Sequence, residues 1–390
     1  MRYYLLAGLV AAVVTFALSY VILKLGSRYR LYPKIRERDV HTTPTPRLGG
    51  VAMFMGLGVA MLFASQVSWF HLVFNDPGTV TAIFVAAFII VVLGVLDDLF
   101  DLDWLVKLAG QLIAAGILVW QGVQLVTVPV GGITVVPPVL GLTLTVLAVV
   151  LVMNAVNFID GLDGLVAGVA IIANGVFFLY SYLLARFVGE TEYFNLASLL
   201  SAVLIGACVG FLPFNWHPAK LFMGDSGALL VGLIMATSAI SVTGQIDPGS
   251  IDSGRVLAPA FIPIVLPIAV LIVPLLDFAL AVTRRLRAGK SPFSADRKHL
   301  HHRLLDIGHG HLQTVLIFYA WSAVFAVSAL LLLFVPLGWG VAVLGVGAAA
   351  CTWLTLAPLI RRKPAAVKQR ATADRSASLL LENSDIKDQS

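Results

Sequence analysis

Eleven apolar stretches occupy most of this chain, near residues 4–24, 48–67, 79–96, 107–121, 139–157, 165–186, 194–213, 227–243, 257–283, 312–333 and 337–360. Most approach the ~20 residues a helix needs to cross the hydrocarbon core of a bilayer. In lipid, only helices and closed barrels satisfy every backbone polar group. These runs far exceed the ~10-residue alternating strands of a barrel. The expectation is an all-α, polytopic membrane protein with eleven transmembrane helices. The fourth run is the shortest and opens with Lys107 and Gln111. Composition points the same way: of 390 residues, 59% are hydrophobic and 12% charged, where a soluble domain carries about 25% charged residues. The first run is too long for a signal-peptide core and has no small-residue cleavage site, so it reads as a retained span. Cys208 and Cys351 both lie in apolar runs and suggest neither a disulfide framework nor a metal site.

Orientation follows from lysine and arginine. The 25–47 connection holds Arg28, Arg30, Lys34, Arg36, Arg38 and Arg47. The 284–303 connection holds Arg284, Arg285, Arg287, Lys290, Arg297, Lys298 and Arg303, and the tail begins Arg361, Arg362, Lys363. Connections 68–78, 122–138, 187–193 and 244–256 hold only Arg255 between them. Eleven spans with the N-terminus outside put all three basic regions in the cytoplasm. The same parity puts connections 97–106, 158–164 and 214–226 there too. Residues 1–360 read as one integral membrane domain, and 361–390 as a polar, disordered cytoplasmic tail.

Each connection on that face carries an unusual polar group. Asp97 and Asp98 follow the third run directly, with Asp101 and Asp103 beyond. Adjacent carboxylates repel unless a cation or proton intervenes, and such oxygen ligands suit Mg²⁺. Asp101 and Asp103 also fit a solvated acidic loop. Lys107 is either a snorkelling anchor or a phosphate contact.

The stretch Asn154–Leu165, NAVNFIDGLDGL, spaces Asn154, Asn157, Asp160 and Asp163 in steps of three. A step of three drifts by about 60° around an α-helix, so one helix cannot aim all four inward. The expectation is a span ending near Asp160, a turn at Gly161, and a helix starting at Asp163. Asp163 as a plain N-cap, and the asparagines as interhelical hydrogen bonders, are the bland alternatives.

Phe222–Gly227, FMGDSG, places Asp225 just before an apolar run, as a helix cap or a metal ligand, with Phe222 as an aromatic face for a base. Arg297–Leu305, RKHLHHRLL, sets His299, His301 and His302 among cations. The cations would repel a metal and suit a pyrophosphate, so anion recognition is the preferred reading. Asp277, inside the ninth run, is a functional candidate because intramembrane carboxylates are expensive. Together these residues call for a phosphate-rich, nucleotide-like substrate meeting a lipid at one membrane face.

Five strings resemble the polyprenyl-phosphate N-acetylhexosamine-1-phosphate transferase family: PRLGG (46–50), LDDLFD (96–101), NAVNFIDGLDGL (154–165), FMGDSG (222–227) and HLHHRLL (299–305). They span most of the chain, and the pair NxxNxxDGLDGL and MGDSG is highly specific. The resemblance implies transfer of a sugar 1-phosphate from a UDP-N-acetylhexosamine to a polyprenyl phosphate, releasing UMP. It implies Mg²⁺, or Mn²⁺ in its place, held by Asp225 with Asp98 beside substrate or metal, and Asp97 as a candidate base. Asn154, Asn157, Asp160 and Asp163 would line the nucleotide site, and Phe222 would stack on uracil. His299, His301, His302 and Arg303 would face the diphosphate and sugar, with Arg47 and Lys107 as further substrate contacts. The implied setting is the plasma membrane with a cytoplasmic active site, the chain acting singly or as a homodimer.

Leu300 interrupts the histidines, as in the UDP-GlcNAc branch; the UDP-MurNAc-pentapeptide branch typically has three in a row. A transporter of anionic substrates is the reading of another class, but no paired halves are visible. A lipid-binding scaffold without catalysis is the third.

Overall fold

The computed structural model describes residues 1–29, 45–129, 133–188, 192–243, 257–289, 299–332 and 334–359. Arg30, Lys34, Arg36, Arg38, Arg255, Lys290, Arg297, Lys298 and the 361–390 tail lie outside the described residues. The chain is helical. In order the helices are α1 (Arg2–Tyr29), α2 (Gly49–Ser65), α3 (His71–Phe74), α4 (Pro77–Phe100), α5 (Trp104–Trp120), α6 (Pro138–Ile159), α7 (Leu165–Val188), α8 (Glu192–Asn215), α9 (Gly224–Thr243), α10 (Leu257–Arg287), α11 (Leu300–Ile307), α12 (His311–Leu331) and α13 (Leu337–Leu359). All eleven apolar runs fall on helices. Among the described residues, eight of these are long and apolar enough to cross a membrane, and nine if α2 is joined to the short helices that follow it at a 94° bend. The α5 helix is shorter, 17 residues. One element was not foreseen: strands Thr127–Pro129 (β1) and Ile133–Val135 (β2) pair as an antiparallel ribbon between α5 and α6.

Local chemistry sets the helix ends. Asp76 caps α4, accepting from Gly78 N at 3.0 Å, with Pro77 in the first turn where its missing N–H goes unneeded. The helix stops at Asp101, which takes a left-handed conformation (φ 54°). Asp103 caps α5 through Leu105 N at 2.9 Å. Asp101 and Asp103 are thus termination and capping residues, the structural half of their sequence reading.

The α9 helix is the centre of the bundle. Its span is 89% buried, against 11% for α13 at the periphery. It packs against α4, α6, α8 and α2, while α1 lies across α8. The α1–α8 crossing is close because Gly8 and Gly206 meet there: a Cβ on Gly206 would come within 1.9 Å of the Gly8 carbonyl oxygen. Small residues allow such approach where hydrophobicity gives helices no reason to associate. Tyr4 adds a buried hydrogen bond to Asn195, at 2.8 Å. The consequence for function is that the C-terminal ends of α4, α6 and α8 and the N-terminal ends of α2, α5, α7, α9 and α12 gather at one end of the bundle.

Candidate active site

The site begins at the last turn of α4. Asp97 is fully buried and both its oxygens are engaged: Oδ1 accepts from Leu102 N at 2.8 Å, and Oδ2 pairs with Lys107 Nζ at 3.1 Å. Lys107 is therefore an ion-pair partner across the α4–α5 turn. Asp98, also buried, differs: among the described residues its Oδ2 has no hydrogen-bond partner. A buried carboxylate oxygen left so is expensive.

Facing this pair is the start of α9. Asp225 lies close enough for its charge to act on Asp97 and Asp98, and its Oδ1 accepts from Asn157 Nδ2 at 3.2 Å. Two features bring α9 this close. A Cβ on Gly94 of α4 would lie 2.2 Å from Ser226 Cα, so only glycine lets the helices touch there. Gly224 has φ +69°, and a Cβ on it would sit 2.4 Å from Asp98 Oδ2. The PRLGG and FMGDSG strings are themselves paired through Phe222 N to Pro46 O (2.9 Å), Gly49 N to Phe222 O (3.0 Å) and Gly50 N to Met223 O (3.0 Å). This short backbone pairing holds Arg47 near Asp98 and Asp160, where its charge is felt by both. Phe222 is half-buried at the same place.

The NAVNFIDGLDGL stretch divides as helical drift requires, with one correction. The α6 helix ends at Ile159, Asp160 closes it, and the turn runs to Gly164 (φ +75°), so α7 starts at Leu165 and not at Asp163. Asp163 does not cap α7. Its Oδ2 reaches across to the 214–223 loop and accepts from His217 Nδ1 (2.7 Å) and Ala219 N (3.1 Å). Asn215 ties the same segments, accepting from Gly164 N (2.9 Å) and donating to Leu221 O (3.1 Å). Tyr319 of α12 adds a hydrogen bond to Gly164 O. Asn157 faces Asp225, but Asn154 bonds Gln111 of α5 and Val150 O, the interhelical role that was its bland alternative. Burial and then the Asp225 charge push the Asp160 carboxyl up to about 7, against the pull of Arg47.

The histidine segment packs onto this turn. His301 is buried against Gly161, where a Cβ would meet its Nε2 at 2.4 Å. Burial, helped by the neighbouring His302, holds its imidazole down to about 3, so it is neutral. Its ring stacks parallel to His299 (5.7 Å, 4°) and lies 4.3 Å from His302. Arg303 is exposed. Asp277, fully buried, accepts from Leu300 N at 2.8 Å and bonds His299 Nδ1 at 3.0 Å.

Asp97, Asp98, Asp225, Asn157, Asp160, Lys107 and Arg47 are thus brought together; Asp163 and Asn154 act at the margin, on neighbouring segments. Sequence reasoning missed Asn215, His217 and Tyr319, whose partners lie 51 to 155 positions away, with no local pattern to flag them. Asp98 and Asp225 could hold a hard cation, since one offers an unpartnered buried oxygen and both are carboxylates. Asp163, His217 and His311 bring ligand-type atoms within 4.8 Å of one another. The two imidazoles are stacked on each other (4.2 Å, 18°).

Residues 80–243, which carry the aspartate pair, the Asn–Asp stretch and Asp225, match the sequence model of glycosyl transferase family 4. Over 363 residues the chain is 40% identical to the decaprenyl-phosphate N-acetylglucosaminephosphotransferase of Mycolicibacterium smegmatis, covering 92% of this chain and 89% of that one. The chain belongs to glycosyl transferase family 4. Two further relatives bracket it. A probable undecaprenyl-phosphate N-acetylglucosaminyl 1-phosphate transferase of Bacillus subtilis is 35% identical over 332 residues, 84% of each chain. A phospho-N-acetylmuramoyl-pentapeptide-transferase of Halalkalibacterium halodurans is 31% identical over 264 residues, 63% of this chain and 77% of that one. The transporter and scaffold readings fall away with family membership, and the chain is a multi-pass membrane protein of this transferase family.

Proposed function

We propose that this protein transfers GlcNAc-1-phosphate from UDP-GlcNAc to a polyprenyl phosphate and releases UMP, the first lipid-linked step of cell-envelope polysaccharide synthesis. The observation that carries the proposal is the convergence of Asp97, Asp98 and Asp225 at one end of the helix bundle. It occurs in a chain that is 40% identical, over 92% of its length, to a decaprenyl-phosphate N-acetylglucosaminephosphotransferase.

The lipid phosphate oxygen attacks the β-phosphorus of the donor, the bond to the α-phosphate oxygen breaks, and UMP leaves. A phosphomonoester has a second pKa of ~6, so the acceptor is largely dianionic near neutral pH and needs little help from a base. Catalysis is then mostly positioning and charge neutralisation. Asp97, engaged by Leu102 N and Lys107, holds the α4–α5 turn and stands beside Asp225 as the site's candidate base. Asp98, with an unpartnered oxygen, and Asp225 are the residues to hold Mg²⁺. When bound, that ion supplies positive charge to the donor's diphosphate. Asn157 orients Asp225, Arg47 adds positive charge beside Asp98 and Asp160, and Phe222 offers a ring for uracil. The histidine segment faces the diphosphate and sugar.

The topology proposed is eleven spans, with the N-terminus outside and the active site on the cytoplasmic face of the plasma membrane. The clustering of Arg284, Arg285 and Arg287 at the end of α10 supports it. Residues 1–360 form the catalytic domain and 361–390 a tail. The second reading, transfer of phospho-MurNAc-pentapeptide, is favoured by the Halalkalibacterium halodurans relative. It is opposed by Leu300, which interrupts the run of histidines typical of that branch.

The test is UMP release by purified protein with Mg²⁺, polyprenyl phosphate and either UDP-GlcNAc or UDP-MurNAc-pentapeptide. Release with UDP-GlcNAc alone is expected. Release only with the pentapeptide donor selects the second reading, and none with either refutes both.

A further inference from the structure

Asp277 belongs to none of the groups so far given a task in the reaction. It is fully buried in α10, where a carboxylate is expensive. Both its oxygens point at the histidine segment, and they do two separable things. Oδ1 accepts from Leu300 N at 2.8 Å, satisfying one of the N–H groups that the start of α11 leaves without a helical partner. Oδ2 bonds Nδ1 of His299 at 3.0 Å. An ionised carboxylate can only accept, so Nδ1 carries the hydrogen and the ring is held as the Nδ1–H tautomer. Nε2 is left as the nitrogen that meets a ligand.

The rest of the ring's surroundings fix its plane. Phe158 meets it edge-on, with centroids 5.6 Å apart. Phe158 is itself held by stacking on Phe278 (5.2 Å) and by the Arg285 guanidinium 5.3 Å from its centroid. His301 stacks in parallel on His299. A ring so held cannot turn to exchange its two nitrogens without breaking the bond to Asp277. His299 keeps 12% of its side-chain surface exposed, which leaves an approach for a ligand.

We propose that Asp277 is a positioning residue for the transfer: it holds His299 in one tautomer and one orientation, so that Nε2 is presented to the donor's diphosphate. With a second proton on Nε2 the ring donates to a phosphate oxygen, and Asp277 is the fixed counter-charge. His301, buried and neutral against Gly161, shapes the turn instead. The histidines thus have different tasks, set by whether a carboxylate stands behind them. This inference rests on the transferase reading for what Nε2 meets, but not for the Asp277–His299 coupling itself.

Asp277→Asn separates the two functions. The side-chain oxygen can still accept from Leu300 N, while the amide presents N–H to His299 and drives its hydrogen to Nε2. The full-length protein in detergent is assayed for UMP release from UDP-GlcNAc as wild type, Asp277→Asn, His299→Ala and the double variant, with thermal unfolding as the folding control. In Asp277→Asn the ring still donates from Nε2, but as a neutral imidazole without its counter-charge, so we expect kcat/KM to fall by about 10-fold, the scale of a charge-assisted hydrogen bond reduced to a neutral one. The double variant should be no worse than His299→Ala, because residues acting as one unit are not additive. In ¹⁵N-histidine NMR, the resonances that His299→Ala removes should read as Nδ1–H in the wild type and Nε2–H in Asp277→Asn. A purely structural cap moves neither the non-additivity nor the tautomer. Wild-type kcat/KM in Asp277→Asn, or an equal further loss in the His299→Ala background, overturns the proposal, as does an unchanged tautomer. If the wild type releases no UMP, the transferase reading fails, and the NMR comparison still decides whether Asp277 sets the His299 tautomer.

Discussion

Substituting Gly94 with alanine tests whether the close approach of α4 and α9 builds the site. An alanine Cβ there would lie 2.2 Å from Ser226 Cα, 2.3 Å from Ser226 N and 2.7 Å from the Asp225 carbonyl carbon. These are backbone atoms at the start of α9, so no side chain can swing aside. Reaching ordinary contact at 3.4 Å requires the helices to part locally by about 1.2 Å. That parting moves Asp225 away from Asp98, which sits one turn beyond Gly94. Overpacking by one methyl costs about 1–3 kcal/mol, of which alanine's better helix propensity returns about 1 kcal/mol at most. Activity should suffer more than stability, since a misplacement of ~1 Å costs on the order of 10²-fold in rate. Gly116→Ala is the control, because nothing lies within 4 Å of its Cβ position. Thermal inactivation in detergent and UMP release are measured on both. A Gly94→Ala protein that keeps wild-type kcat/KM would refute the claim that this contact sets the carboxylate geometry.

Three other outcomes follow from the same geometry. Lys107→Met strips Asp97, whose side chain is 1% exposed, of its 3.1 Å partner. It should cost about 3–5 kcal/mol, the scale of breaking one side of a buried pair, and adding Asp97→Asn should recover most of the lost thermal stability. Asp160 carries a carboxyl raised to about 7 by burial and Asp225, so the folded state binds a proton that the unfolded chain releases near pH 4. Stability from this group is therefore present below about pH 4 and falls as pH rises to 7. Without divalent metal, wild-type Tm should drop relative to Asp160→Asn between pH 5 and pH 7.5, and parallel curves would count against it. The histidine partner Asp277 is tested by the tautomer and double-variant measurements already described.

The helical plan was legible because hydropathy in lipid leaves so few options. The runs alone placed α1, α2, α4 through α10, α12 and α13, and lysine and arginine gave a consistent side. The site was legible in part. Helical drift within NAVNFIDGLDGL required a break, and the break is there, although Asp163 turned out to brace the 214–223 loop instead of starting α7. The doubt over Asn154 resolved toward an interhelical bond, because its partner Gln111 lies 43 positions away on α5. Asp277 was flagged by its cost in oil, but its partners could not be seen. His299 and Leu300 reach it only through tertiary folding, across 22 and 23 positions. The β1–β2 ribbon escaped notice because three-residue strands are too short for a period of two to register.

The central claim concerns which bond breaks. UDP-GlcNAc carrying ³²P only in the β-phosphate is incubated with the protein, polyprenyl phosphate and Mg²⁺, and the products are separated into lipid and aqueous fractions. If this protein moves the sugar together with its phosphate, the label passes into the lipid fraction and the nucleotide released is unlabelled UMP. Label appearing in free UDP would mean that the sugar alone is transferred, and would contradict the account.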